Sequence, residues 1–219
     1  MVTAMGKDSH ILVWGSGTPR AMRVHWALQE LRLDYVLQEG APADALDETQ
    51  YNAASPAPPC ECALKDGSIL LNGSAAIVAY LSRQYRNVGN MAYPKTDEQR
   101  TRWLEWTFFA VSELDSTTLH LIRRHKELTH RYGAAPKVIQ GATEYFQKQL
   151  GYLECSLEDE RPFVLGETFT SADILIASCL IWASSYGIEM PDIVAEYMQR
   201  LTSRPAYQAA IDRQRELTA

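Results

Sequence analysis

The stretch Ile11-Leu12-Val13-Trp14-Gly15-Ser16-Gly17-Thr18-Pro19 decides how the chain begins to fold. Four apolar residues ended by a Gly-Ser-Gly turn suit a short strand buried on both faces. Thr18 is a helix N-cap by type. Pro19 suits the first helical position, where a missing N–H costs nothing. Val24, Ala27, Leu28 and Leu31 recur at i, i+3, i+4 and i+7, which predicts an amphipathic helix over about residues 19–32. Tyr35-Val36-Leu37-Gln38 reads as a second strand. A helix between two strands is a βαβ unit, so these strands are expected to be parallel, with a right-handed crossover.

Moving outward, residues 42–51 read as a short, weaker helix and Ser55 to Pro59 as a proline-rich loop. Residues 61–65 and 68–71 flank Asp66-Gly67, a strong hairpin signal. A helix capped by Ser74 follows, with Ile77, Tyr80 and Leu81 facing inward. Residues 86–96, with Gly89 and Pro94, read as a linker. Beyond it there is no strand pattern. Trp103, Trp106, Ala110, Leu114 and Leu121 keep helical spacing and predict a long helix over about 97–130. Pro136 opens another. Residues 171–186 are apolar almost all round, which places that helix at the centre of its domain. Its start is written twice: Thr170 and Asp173 form a capping box, and Phe169 and Ile174 are the ends of a hydrophobic staple. Pro191 and Pro205 mark two more helix starts. The expected organisation is an α/β domain over 1–86 and an all-helical domain over 96–219, with the working cleft where they meet.

The bulk numbers narrow the function. The chain has 219 residues, 46% of them hydrophobic, and a net charge of -6. That charge does not attract a phosphate backbone, so no nucleic-acid partner is expected. No apolar run approaches the ~20 residues of a membrane span. The polar N-terminus lacks the apolar stretch of a signal peptide. Cys60, Cys62, Cys155 and Cys179 then read as free thiols in a reducing, cytoplasmic setting. The His125 and His130 spacing in HKELTH puts the two rings on different helix faces, so no metal is expected there.

Five stretches in order resemble the glutathione transferase family: Thr18 to Val24, Glu30-Leu31-Arg32-Leu33-Asp34-Tyr35, Ser74 to Ile77 with Tyr80-Leu81, Gly166 to Ile174, and Arg204-Pro205-Ala206-Tyr207. The resemblance covers about residues 10–212. It implies a thioredoxin-like N-terminal domain (βαβαββα), an all-helical C-terminal bundle, a homodimer, glutathione as co-substrate and a small hydrophobic electrophile. The implied chemistry is thiol activation. A thiol of pKa near 8.5 is only a few per cent ionised at pH 7, and lowering it by two units takes about 2.7 kcal/mol of preferential thiolate stabilisation.

Carried over residue by residue, the resemblance makes Thr18 the catalytic hydroxyl and Ser16 a second candidate in the same turn. Each has a plain alternative; for Thr18 it is a simple N-cap. Ser74 and the adjacent helix N-terminus would hold the γ-glutamyl carboxylate. Gly73 stands where the family has a glutamate, so a charge facing the γ-glutamyl amine is missing. The family's cis-proline position falls on Glu61 counted from the front and on Cys62 counted back from Asp66-Gly67. Cys60 and Glu61 are therefore the candidates to replace the lost backbone contact. The Cys60-x-Cys62 pair is also open to a redox or packing role. Asp115 could supply an acid to the γ-glutamyl amine from a partner subunit, or act as a surface ion-pairing group. Trp106, Phe109 and Tyr186 are candidates for the electrophile pocket, with core packing the preferred reading for Trp106. The competing reading is a fold member that has lost ordinary glutathione binding and serves as a specialised lyase or isomerase, a small-molecule binder or a dimeric interaction scaffold.

Overall fold

A computed structural model of the chain describes residues 10–39 and 62–215. Cys60, Glu61, the helix expected over 42–51 and the loop before Cys60 lie outside the described residues. The chain forms two compact units, Met1–Met91 with Pro205–Ala219, and Ala92–Arg204.

In the first unit, β1 (Ile11–Trp14), α1 (Pro19–Glu30), β2 (Val36–Gln38), β3 (Ala63–Asp66), β4 (Ile69–Asn72) and α2 (Ser74–Gln84) follow in order. The sheet order is β2-β1-β3-β4. β1 and β2 are parallel, Leu12 opposite Val36, as the βαβ reading requires. β3 runs antiparallel to β1 and to β4. The hairpin turns one residue later than expected. Asp66 stays in the ladder opposite Ile69, and Gly67-Ser68 make the turn. Gly67 sits at φ +58, and a glycine with positive φ at the first turn position gives the twist a two-residue hairpin needs. Asp66 also accepts hydrogen bonds from the Tyr80 and Tyr85 hydroxyls at 2.9 and 2.7 Å, tying the hairpin to α2. Burial, and then the Asp66 carboxylate, push the Tyr80 hydroxyl up to about 12.

The second unit is helical among its described residues: α3 (Asp97–Phe108), a π-helical segment (Phe109–Leu119), α4 (His120–Lys126), the short α5 (Thr129–Tyr132), α6 (Pro136–Leu157), α7 (Ser171–Ser185) and α8 (Asp192–Thr202). α7 is its core helix, with every residue from Ser171 to Leu180 buried. The capping box of Thr170 and Asp173 is formed, and Phe169 and Ile174 are both buried. The long predicted helix is present but not uniform. Trp103, Ala110 and Leu114 are buried as expected, whereas Leu119 and Ile122 rather than Leu121 take the core positions that follow. A π turn closes i→i+5 hydrogen bonds and holds more residues than an α turn; His120 N–H donates to the Asp115 carbonyl in that pattern. The wider turns delay the apolar phase by one residue.

The last helix, α9 (Pro205–Arg215), clusters with the first unit. It packs on α1, where Trp26 and Tyr207 lie with ring centroids 4.7 Å apart. Among the described residues no helix is long and apolar enough to cross a membrane.

Candidate functional site

Thr18 is the N-cap of α1. Its extended backbone (φ -119, ψ 153) turns the side chain back on the helix, and Oγ1 accepts from the Ala21 N–H at 3.1 Å. A threonine hydroxyl that accepts from the backbone still has its own proton to donate. The helix N-terminus behind it carries partial positive charge, which favours an anion at this spot. Ser16 lies in the same loop, half-buried.

Two buried groups hold that loop. His25, fully buried on α1, donates from Nε2 to the Gly15 carbonyl at 3.0 Å and accepts at Nδ1 from the Tyr35 hydroxyl at 2.9 Å. This pairing assigns the neutral tautomer with the proton on Nε2. Burial pulls the His25 pKa below its ordinary value; the Gly15 hydrogen bond opposes this, and nearby Arg213 adds to it. The Gly17 N–H donates to Oε1 of Gln214 on α9 at 3.1 Å.

The second cluster is at the start of α2. Ser74 was expected as the cap, but Gly73 takes that place and Ser74 is the first helical residue. Gly73 has φ +88 and ψ 120 and supplies no side chain to the first turn. Its N–H reaches the Cys62 carbonyl at 3.4 Å. Ser74 is 5% exposed, and its Oγ accepts from Nη1 of Arg23 at 3.3 Å. Arg23, 2% exposed, is thus a buried cation linking α1 to the N-terminus of α2. Cys62 is buried and forms no disulfide among the described residues.

The remaining candidates lie in the second unit. Asp115, offered as a surface ion-pairing group, is 2% exposed; the π-helical register turns it inward. Trp106 and Phe109 meet edge to face at 5.4 Å between centroids. With Gln149 and Tyr152 they line a cavity of about 610 Å³. Trp106 thus lines a cavity rather than sitting in the core. Tyr186 is not among the lining residues, and its hydroxyl donates to Glu127 at 2.6 Å. His125 Nδ1 faces the Gly133 carbonyl at 2.8 Å. Among the described residues no group of three or more His, Cys, Asp or Glu could hold a metal ion.

Sequence reasoning reached Thr18 and Ser74 but missed Arg23 as the Ser74 partner, and missed His25, Tyr35 and Gln214. Polar residues inside apolar helix faces were the available signal for Arg23 and His25. Gln214 had none.

No protein-family model matches the chain. It is 26% identical over 163 residues to glutathione S-transferase GstA of Escherichia coli O157:H7, covering 74% of this chain and 76% of that protein. It is 23% identical over 219 residues to glutathione S-transferase A of Pleuronectes platessa, covering 94% and 92%. Among solved structures, it superposes on the theta class glutathione S-transferase of Xanthomonas axonopodis pv. citri with glutathione bound. There the TM-score is 0.72 at 26% identity, over 92% of this chain and 97% of that one. Ure2p5 of Phanerochaete chrysosporium, cocrystallized with 1-(S-glutathionyl)-2,4-dinitrobenzene, shares the fold at TM-score 0.78 and 18% identity, over 97% and 98%. The first unit is accordingly the thioredoxin-like part of this fold and the second its helical part. In sequence the chain is similar to glutathione S-transferases, and it shares their fold.

Proposed function

We propose that the chain is a glutathione transferase, which ionises the thiol of bound glutathione and aims it at a small hydrophobic electrophile. The observation that carries the proposal is Thr18: its oxygen is occupied by the Ala21 N–H, which leaves the hydroxyl proton for a guest sulfur. One hydrogen bond donated to a thiolate at a helix N-terminus is of the order of the ~2.7 kcal/mol that a two-unit pKa drop requires. Ser16 is a second donor in the same loop.

In this reading Ser74 anchors the γ-glutamyl carboxylate. Its oxygen takes the Arg23 N–H, which leaves its own proton to donate in the same way. The uncapped first-turn N–H groups of α2 and the buried Arg23 charge add to the attraction. Cys60, Glu61 and Gly73 complete the tripeptide site. Buried Asp115 does not support the acid role first considered for it, and the proposal does not use it. The names of the relatives, and the glutathione bound to the Xanthomonas protein, support the choice of thiol. The same reading makes the protein a cytoplasmic homodimer, with a particle mass in solution twice that of the chain.

The test is conjugation of glutathione to an aryl chloride by wild type, Thr18→Val and Ser74→Ala. Thr18→Val is expected to lower kcat/KM about 30- to 100-fold, the loss of about 2–2.7 kcal/mol, and to move the kinetic thiol pKa toward that of free glutathione. Ser74→Ala is expected mainly to raise KM for glutathione. A wild-type protein that neither binds nor conjugates glutathione rejects the proposal. That outcome favours the second reading, a fold member without ordinary glutathione binding, for which the glycine at position 73 is the supporting observation.

A further inference from the structure

The loop from Gly15 to Thr18 is pinned by side chains from outside it. Gly-Ser-Gly has little conformational preference of its own, and ordering it costs more chain entropy than ordering a glycine-free loop of its length. Two contacts offset that cost. His25 fixes the Gly15 carbonyl from α1. Gln214 fixes the Gly17 N–H from the last turn of α9, at a sequence separation of 197 residues.

Gln214 is well built for this task. It is 9% exposed on a helix end that is otherwise charged. Its amide nitrogen is directed at the sulfur of Met22 on α1 at 3.8 Å, so both ends of the side chain are engaged within the unit. The neighbouring Arg213 guanidinium lies 5.8 Å over the Tyr35 ring, and Tyr35 in turn orients His25. Two adjacent residues of α9 therefore bear on the same loop, one at Gly17 and one through Tyr35 and His25 toward Gly15. Thr18 follows Gly17 directly, so anchoring the Ser16–Gly17 peptide narrows where its hydroxyl begins. Thiolate stabilisation by one donor falls steeply when that donor moves by about 1 Å.

We infer that Gln214 is a positioning residue of the proposed thiol-activating site: the last helix of the chain sets where the Thr18 hydroxyl stands. The inference rests on the transferase reading for its consequence in catalysis, but its structural half is independent of glutathione.

The experiment uses the full chain with Gln214→Met, which keeps the length and loses the acceptor, and Gln214→Glu, which keeps an acceptor oxygen for Gly17. Gln214→Ser is a second loss variant should the methionine fail to fold. Amide hydrogen exchange of Gly17, read by NMR, is expected to quicken about fivefold or more in the loss variants, the weight of one net hydrogen bond, and to stay near wild type in Gln214→Glu. In the conjugation assay the loss variants are expected to reduce kcat about five- to tenfold with KM for glutathione within twofold, because Ser74 is untouched, and Gln214→Glu to recover most of kcat. Unchanged Gly17 exchange in the loss variants overturns the inference, and so does an equal loss of kcat in all three variants. If wild type turns over no glutathione, the transferase reading fails by itself. Gly17 exchange alone then decides the positioning role: faster exchange confined to the loop sustains it and unchanged exchange sinks it.

Discussion

Replacing Asp173 by alanine is expected to cost more stability than any other single truncation of a polar side chain in the second unit. The carboxylate is fully buried and accepts four hydrogen bonds: from Thr170 N–H at 2.8 Å, Thr170 Oγ1 at 3.0 Å, Val164 N–H at 3.0 Å and Tyr197 Oη at 2.8 Å. Thr170, Val164 and Tyr197 are each at most 2% exposed, so water cannot replace the lost acceptor without a rearrangement. The lost cap is worth about 1 kcal/mol. Each buried donor left unpaired costs about 1–3 kcal/mol. Against this, the mutation removes a buried charge whose desolvation already raises the carboxyl pKa above 3.8. The net expectation is a loss of about 3 kcal/mol, a large part of the ~5–15 kcal/mol that holds a domain together. Urea unfolding at pH 7 measures it as a lower midpoint at unchanged slope. The sign with pH also follows. A carboxyl whose native pKa is raised contributes most below its unfolded value of about 3.8, and the contribution declines as pH rises through the raised value. The deficit of Asp173→Ala should therefore shrink, not grow, from acid toward neutral pH. A midpoint shift equivalent to less than about 1 kcal/mol would falsify the reasoning, because it would mean that the donors find other partners.

Two further outcomes are expected. Gly73→Glu restores the charge that the family carries before Ser74 and should lower KM for glutathione. Its β-carbon meets no atom of the described residues, yet φ +88 strains any residue that has one, so the thermal midpoint should fall by the equivalent of about 1–3 kcal/mol. Gly73→Ala should show the same thermal loss without the tighter binding. His25 is held below its ordinary pKa by burial, so the unfolded chain takes its proton first as pH falls. Its contribution is complete above about pH 6.5 and drains away below it. Wild type should accordingly lose stability more steeply between pH 6.5 and 5 than His25→Phe, as read from thermal midpoints across that range; equal slopes would remove His25 as the cause.

The sequence by itself determined the elements and their order. Periods of 3.6 and 2, and capping residues within four positions of a helix start, are local, so they can be read without knowing the partner surface. The strand before Gly15, the cap at Thr18, the capping box of Thr170 and Asp173 and α7, apolar almost all round, were legible for that reason. Thr18 and Ser74 were legible through resemblance, because each lies at a helix start whose neighbours repeat a family pattern.

What only the tertiary structure decided lies at longer range. Arg23 meets Ser74 across 51 positions and Gln214 meets Gly17 across 197; a polar residue on an apolar helix face marks Arg23 without naming its partner, and nothing around Gln214 marks it at all. The π-helical segment is likewise invisible in the composition of residues 109–119. It moved the core position from Leu121 to Ile122 and buried Asp115. The last helix begins, as expected, at Pro205, but its membership of the first unit was settled by an aromatic partner on α1 and a hydrogen bond to the loop before it. Local propensity specifies where a helix starts; only the burial available in three dimensions specifies which surface it covers.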